Sequence, residues 1–123
     1  MKIILSTTAF LGLLAIILGA FGAHALQEKL DTEALKSFET GVRYLMYHVI
    51  VLLFINTYSG FTDRAKKMIS YLFLIGILFF SGSIFAITMG NIPAKFIWFV
   101  TPLGGLLFIL GWLKMAVSFL KIK

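Results

Sequence analysis

Two histidines carry much of the chemistry that this chain could perform. His24 follows the first long hydrophobic run, and His48 lies several residues inside the second. A histidine can transfer protons near neutral pH, bind a metal or hydrogen-bond a backbone carbonyl. Retaining an ionisable side chain at membrane depth costs free energy, so such a residue is a candidate functional site by default.

Other polar side chains accompany His48 on the same predicted helix. Glu39 and Arg43 are four residues apart and therefore share a helix face, which Tyr47 extends. Tyr44 and His48 form a second pair with the same spacing on an adjacent face. The sequence therefore predicts one polar cluster, which acts either structurally or in ligand binding: His24, Glu39, Arg43, Tyr44, Tyr47 and His48.

Three interpretations of this polar cluster stay open. In the first, Glu39 and Arg43 pair to fix the entry of the second helix, and the histidines bond carbonyls at the end of the first. In the second, the cluster binds an anionic lipid headgroup, a quinone, or a haem held by both imidazoles. In the third, a Glu–Arg–His chain relays protons or a solute, although the other half of the bundle offers few polar groups for such a path.

The residue pattern does not indicate an enzyme. A hydrolase needs a nucleophile beside a base, but Ser6, Ser59 and Ser70 are predicted at the end away from both histidines. Ser81 and Ser83 are mid-span without a paired base. Phosphate-binding glycine loops, zinc-ligand spacings and cysteines do not occur. We therefore expect no catalytic residue, no metal site and no cofactor.

The composition is that of a membrane protein. The 123 residues are 60% hydrophobic and 13% charged, with a mean hydropathy of +1.01. About 20 apolar residues cross a bilayer, and the first run exceeds the ~7–15 of a secretory signal, so we expect it to remain as an uncleaved helix. The sequence predicts a single all-α domain, an antiparallel four-helix transmembrane bundle with spans at about 3–25, 41–60, 68–90 and 97–120.

The charge distribution predicts the orientation. In a four-span topology both termini and the second loop share one side, which carries seven basic residues and one acidic residue, while the other side is neutral. Basic loops face the cytoplasm, so we expect both termini there. The basic face then contacts anionic lipid headgroups and, lacking a groove, no nucleic acid. The basic residues are Lys2, Arg64, Lys66, Lys67, Lys114, Lys121 and Lys123.

The first loop, about 27–40, has its own pattern. Asp31 or Thr32 is suited to cap a helix, and apolar residues then recur at helical spacing through Phe38. The sequence predicts a short amphipathic helix that either continues into the second span or hinges at Gly41. Its apolar stripe lies on the membrane surface or against the bundle.

Trp112 is assigned to an aromatic belt at the inner boundary.

Small residues at four-residue spacing let membrane helices approach closely. Such ladders occur in the first and third helices, so we expect these two helices to touch in the outer half of the membrane. Two glycines of the fourth helix are added as packing residues. The full set is Ala15, Gly19, Ala23, Gly82, Ala86, Gly90, Gly104 and Gly105.

Several motifs along the whole chain resemble one family of small membrane proteins. They are Gly19–Leu26, Phe38–Tyr44 with Tyr47–His48, Phe80–Ser83, and Thr101–Gly105 with Gly111–Trp112. Together they are similar to the YgdD-like family, domain of unknown function 423, which includes vertebrate transmembrane protein 256. The resemblance implies a four-span protein of inner-membrane or mitochondrial type and favours a bacterial plasma membrane. It implies no activity, substrate or catalytic residue.

Two functions of different classes follow as hypotheses. The first is a non-enzymatic accessory or assembly subunit that binds another membrane protein, or a second copy of itself, through the small-residue faces. The alternative is a module that binds a lipid headgroup, quinone or haem through the polar cluster. Transport of a solute or of protons is a third, weaker hypothesis.

Overall fold

Four long helices form the molecule. The computed structural model describes residues 2–122, and its secondary structure in that range is helical. Each long helix has the length and hydropathy needed to cross a membrane, which confirms the predicted all-α membrane bundle. The helices are α1 (Lys2–Leu26), α2 (Thr32–Thr57), α3 (Asp63–Thr88) and α4 (Val100–Leu120), with a helical turn at Ala94–Ile97 before α4.

The start of α2 is set by a side-chain cap. The Asp31 carboxylate accepts a hydrogen bond from the backbone N–H of Ala34 at 2.7 Å, which confirms the predicted cap. The helix then runs unbroken through Gly41, so the amphipathic segment and the second span are one helix. Phe38 is fully buried, with its ring 5.5 Å from that of Phe85 on α3. The apolar stripe therefore packs against the bundle.

Each long helix packs against the next one in the chain. Short connections favour this arrangement because they make consecutive helices antiparallel neighbours. The helix α1 lies at the edge: it packs against α2, and only 11% of its most apolar stretch is buried. The hydrophobic core is built from α2, α3 and α4, around Leu45, Leu52, Ile55, Ile69, Phe73 and Phe108.

The closest helix contact joins α3 to α4. A Cβ atom added at Gly104 would lie 2.3 Å from the backbone nitrogen of Phe80, so only glycine fits there. Gly76 faces the ring of Phe108, and Gly111 faces a phenylalanine of α3, each too closely for a Cβ. Gly104 is thus a packing residue, as the sequence predicts, whereas Gly76 and Gly111 were not included in that prediction.

The expected packing of α1 against α3 is wrong. A Cβ at Gly19 would lie 3.2 Å from Val42 of α2, and Ala15 is buried on the same side. A Cβ at Gly82 would meet only Leu78 of its own helix, at 3.9 Å. The ladder of α1 therefore serves the contact with α2, whose other side is taken by α3. The predicted contact of Ala23 on α1 with Ala86 and Gly90 on α3 is wrong for the same reason, since α1 packs against α2 and not along α3.

We predict that Gly104→Ala destabilises the bundle, whereas Gly105→Ala does not. At Gly104 the added methyl group would collide with the α3 backbone, and overpacking of this kind costs about 1–3 kcal/mol. At Gly105 the nearest atom, on Phe80, is 4.0 Å away. The measurement is the free energy of unfolding in mixed detergent micelles. Equal stability of the two variants would show that this close approach does not stabilise the fold.

Candidate functional site

His48 lies at the centre of the bundle and is only 4% exposed. Its Nδ1 atom is 2.7 Å from the carbonyl oxygen of Tyr44, and its Nε2 atom is 3.0 Å from Nε1 of Trp112. The indole N–H can only donate and a carbonyl can only accept. Nε2 must therefore accept and Nδ1 must donate, which fixes the neutral imidazole with its proton on Nδ1.

Aromatic rings enclose the imidazole. It stacks on Phe108 of α4, with ring centroids 3.7 Å apart and planes inclined by 7°. The ring of Phe73 on α3 meets it edge-on at 5.0 Å. A side chain of α2 thus contacts α3 and α4 together, and both of its nitrogens are satisfied. The His48 ring is a cross-link between helices.

A groove of about 710 Å³ lies beside this cross-link, open along one side of the bundle. We call it the aromatic groove; it runs between α2 and α4 across part of α3. On α4 it extends over eleven residues, from Pro102 to Trp112, a length of about 15 Å at the ~1.5 Å rise of a helix. Its walls are mainly apolar and aromatic, and include Tyr44, His48, Phe80, Gly105, Phe108 and Trp112.

The structure divides the predicted polar cluster between two sides of α2. Tyr44 and His48 face the aromatic groove. Arg43 and Tyr47 instead line a shallow groove of about 330 Å³ between α2 and α1. His24, near the end of α1, is exposed. The six residues therefore do not form one site.

Two contacts considered in the first interpretation of this cluster do not form among residues 2–122. Arg43 donates from Nη2 to the hydroxyl of Thr40 at 3.1 Å, and within residues 2–122 it forms no ion pair with Glu39. The two side chains are exposed, and exposed ion pairs contribute little to stability. His48 bonds a carbonyl of its own helix and not one at the end of α1. His24 and His48 do not share a pocket, so a haem held by both imidazoles is not supported.

The key partners of His48 were missed by sequence reasoning. Trp112 was assigned to an interfacial belt, yet its indole reaches His48 from a helix 64 residues further along the chain. Phe108 is one of thirteen phenylalanines, and its position in the sequence does not distinguish it as a partner of His48. The motif Gly111–Trp112 was the available signal: Gly111 lets α4 approach Phe73 closely, and the next residue then reaches the imidazole.

Hydrogen bonds between helices account for the other mid-span polar residues. The Ser81 hydroxyl donates to the carbonyl of Gly41 at 2.7 Å, which ties α3 to α2. Nearer the other end, the amide of Asn56 donates to the hydroxyl of Ser70 at 2.8 Å. A third bond joins Ser83 of α3 to Thr101 of α4. These groups act as separate cross-links between neighbouring helices.

We predict that Trp112→Phe destabilises the protein by about 1–2 kcal/mol, because it leaves Nε2 of His48 buried without a donor. Trp98→Phe makes the same chemical change at a residue that is 66% exposed, and we expect it to leave stability unchanged. The free energy of unfolding in detergent measures both effects.

In addition, ¹⁵N spectra of histidine-labelled protein should show His48 protonated on Nδ1; protonation on Nε2 would contradict the assigned hydrogen bonds.

Comparison with known proteins places the chain among bacterial membrane proteins. Residues 18–105 match the family described as Protein of unknown function (DUF423). A UPF0382 membrane protein of Staphylococcus saprophyticus is 38% identical over 99% of this chain and 100% of its own length. UPF0382 membrane protein YwdK of Bacillus subtilis is 35% identical over 98% of each chain. No solved structure matches the chain.

Proposed function

The chain belongs to the DUF423 family of membrane proteins, and we propose that its function is to hold the apolar chain of a lipid-like molecule in the aromatic groove. The observation that carries this proposal is a groove bounded by Tyr44, Phe80, Phe108 and Trp112, open on one side of a membrane bundle. Its volume of about 710 Å³ falls within the ~300–1,000 Å³ of small-molecule sites.

The polar groups of the groove favour an amphiphile over a polar solute. Both nitrogens of His48 are already hydrogen-bonded, so that residue offers a ligand no further polar contact. Tyr44 is 38% exposed, and its ring stacks on Phe80 at 4.9 Å. Its hydroxyl is thus the group that can bond a polar head, while the aliphatic and aromatic walls receive the chain. A quinone head fits this chemistry, whereas haem ligation does not.

We also propose an orientation in the membrane, the membrane itself and a non-enzymatic role. Both termini lie in the cytoplasm, because the end of the bundle with the α2–α3 loop and the α4 C-terminus carries the basic residues. The membrane is the bacterial plasma membrane, as the bacterial relatives suggest. We also propose that the protein is not an enzyme; the hydrogen bonds that the buried polar side chains named above form between or within helices support this proposal.

Trp112 provides an internal reporter for the groove. In a Trp98→Phe background it is the sole tryptophan, and it lines the groove while 42% exposed. We predict that a phospholipid brominated on its acyl chains quenches Trp112 fluorescence saturably in detergent micelles. Bromine quenches on contact, and a bound chain occupies the groove at low lipid fractions.

The variant Gly105→Leu adds a leucine side chain at a residue that lines the groove, and it should abolish the saturable quenching. The matched control, Gly82→Leu, adds the same side chain on α3 at an open position outside the groove, and it should leave quenching unchanged. Tyr44→Phe should weaken binding by about tenfold or less, the loss of one hydrogen bond. Quenching that rises linearly with lipid in all variants would overturn the proposal.

An accessory role is the second candidate, and the position of α1 favours it. This helix packs against α2 at the edge of the bundle and leaves most of its apolar surface uncovered. On α3, the small-residue positions Gly82 and Ala86 are only half-buried. A helix of another membrane protein could pack closely against either surface.

We predict for this accessory role that the gently extracted protein carries a bound partner protein. Native mass spectrometry should then show an excess mass, of the size of a protein, above whole multiples of the chain mass of 13.7 kDa. The excess should be lost in Gly82→Leu, because a leucine blocks close helix approach, and retained in Gly105→Leu. Clean multiples of the chain mass would contradict a bound partner. Loss of the excess in both variants would point to a general disturbance of the bundle.

A further inference from the structure

We infer that a second cavity, at the end of the bundle with the α2–α3 loop, binds a phosphate group. This cavity, called here the basic pocket, has a volume of about 370 Å³ and shares no lining residue with the aromatic groove. It lies between the start of α3 and the end of α4. The lining residues used below are Phe61, Thr62, Arg64, Lys114, Ser118 and Lys121.

Three cations converge on the basic pocket from two helices. Arg64 lies in the first turns of α3, while Lys114 and Lys121 come from the last turns of α4 and its end. Within residues 2–122, no aspartate or glutamate lines the pocket. Like charges gathered around one cavity near a low-dielectric membrane repel each other. An anion bound in the cavity attracts each of the three cations and so offsets their mutual repulsion.

The pocket is held in place by aromatic packing beneath it. Phe61, in the α2–α3 loop, is 5% exposed, and its ring lies 4.7 Å from that of Phe119 on α4 and 5.1 Å from that of Tyr58. These contacts fix the loop onto the end of α4. The cations of the two helices therefore face a preformed cavity, which reduces the ordering cost of binding.

Hydroxyl groups complete the lining. Thr62 Oγ1 accepts the N–H of Ala65 at 3.1 Å, and its own proton has no acceptor among the described residues. It can therefore donate to a phosphate oxygen. Ser118 directs its proton to the carbonyl of Lys114 at 2.8 Å and is not available as a donor. Ammonium and guanidinium groups with one hydroxyl donor are the chemistry that recognises a phosphate.

Two sources can supply this phosphate: the headgroup of an anionic lipid, or free inorganic phosphate. The test titrates the detergent-solubilised full chain with phosphatidylglycerol and, separately, with phosphatidylcholine, whose headgroup has the same phosphate but no net charge. Bound lipid is counted by native mass spectrometry. A third arm adds sodium phosphate against sodium chloride at equal ionic strength and measures both thermal stability and displacement of bound lipid.

Single-charge variants locate the binding. Arg64→Gln and Lys114→Gln remove cations that line the pocket, and each should weaken phosphatidylglycerol binding by about tenfold. Lys66→Gln removes the same charge from the same end of the bundle, and Lys66 lines neither the basic pocket nor the neighbouring groove that Arg64 shares with Lys67, so binding should change by less than about twofold. Arg64 is exposed, so its variant keeps the test valid if Lys114→Gln does not fold.

Each outcome of these titrations either supports or contradicts phosphate binding in the basic pocket. Preferential binding of phosphatidylglycerol that depends on Arg64 and Lys114, without displacement by phosphate, assigns the pocket to a lipid headgroup. Stabilisation by inorganic phosphate with the same dependence assigns it to free phosphate. Equal weakening in all three variants, or equal binding of the two lipids, would show a diffuse surface charge and overturn the inference. The aromatic groove is unaffected by any of these results.

Discussion

The hydrogen bond between Trp112 and His48 is the interaction on which the rest of the bundle depends. A polar ring inside a membrane protein must be satisfied by protein groups, since the hydrocarbon supplies none. His48 meets this requirement with one carbonyl of its own helix and one indole of α4. Because α3 lies between α2 and α4, this bond and the stacking on Phe108 join helices whose backbones do not pack along each other.

Steric fit decides how the other helices associate. Lipid chains are as apolar as leucine, so close packing and hydrogen bonds must replace the hydrophobic drive. Between α3 and α4, Gly104 allows near-contact of the backbones. Between α2 and α3, Ser81 bonds the carbonyl of Gly41 where the helices meet. The helix α1 packs through Ala15 and Gly19 on one side only, which explains its position at the edge.

The two cavities suit opposite parts of an amphiphile. The aromatic groove has aliphatic and aromatic walls with one free hydroxyl, that of Tyr44, whereas the basic pocket has three cations and the proton donor Thr62. Each consists of residues from more than one helix, so both depend on the helix packing described above. Neither is lined by the exposed residues His24, Glu39 and Arg43.

The sequence alone determined the four-helix membrane class and a helix cap at Asp31 or Thr32, because apolar length and local hydrogen bonding are properties of neighbouring residues. It also singled out His48 and Gly104. Tertiary structure alone decided that Trp112 and Phe108 are the partners of His48, and that the two faces of the predicted polar cluster meet different helices. Helical spacing specifies which residues share a face, but not which helix covers that face. Arg43 and His48 are five residues apart on α2, so helical spacing alone places them on different faces, and the tertiary structure decided that α1 packs beside one face and α4 beside the other.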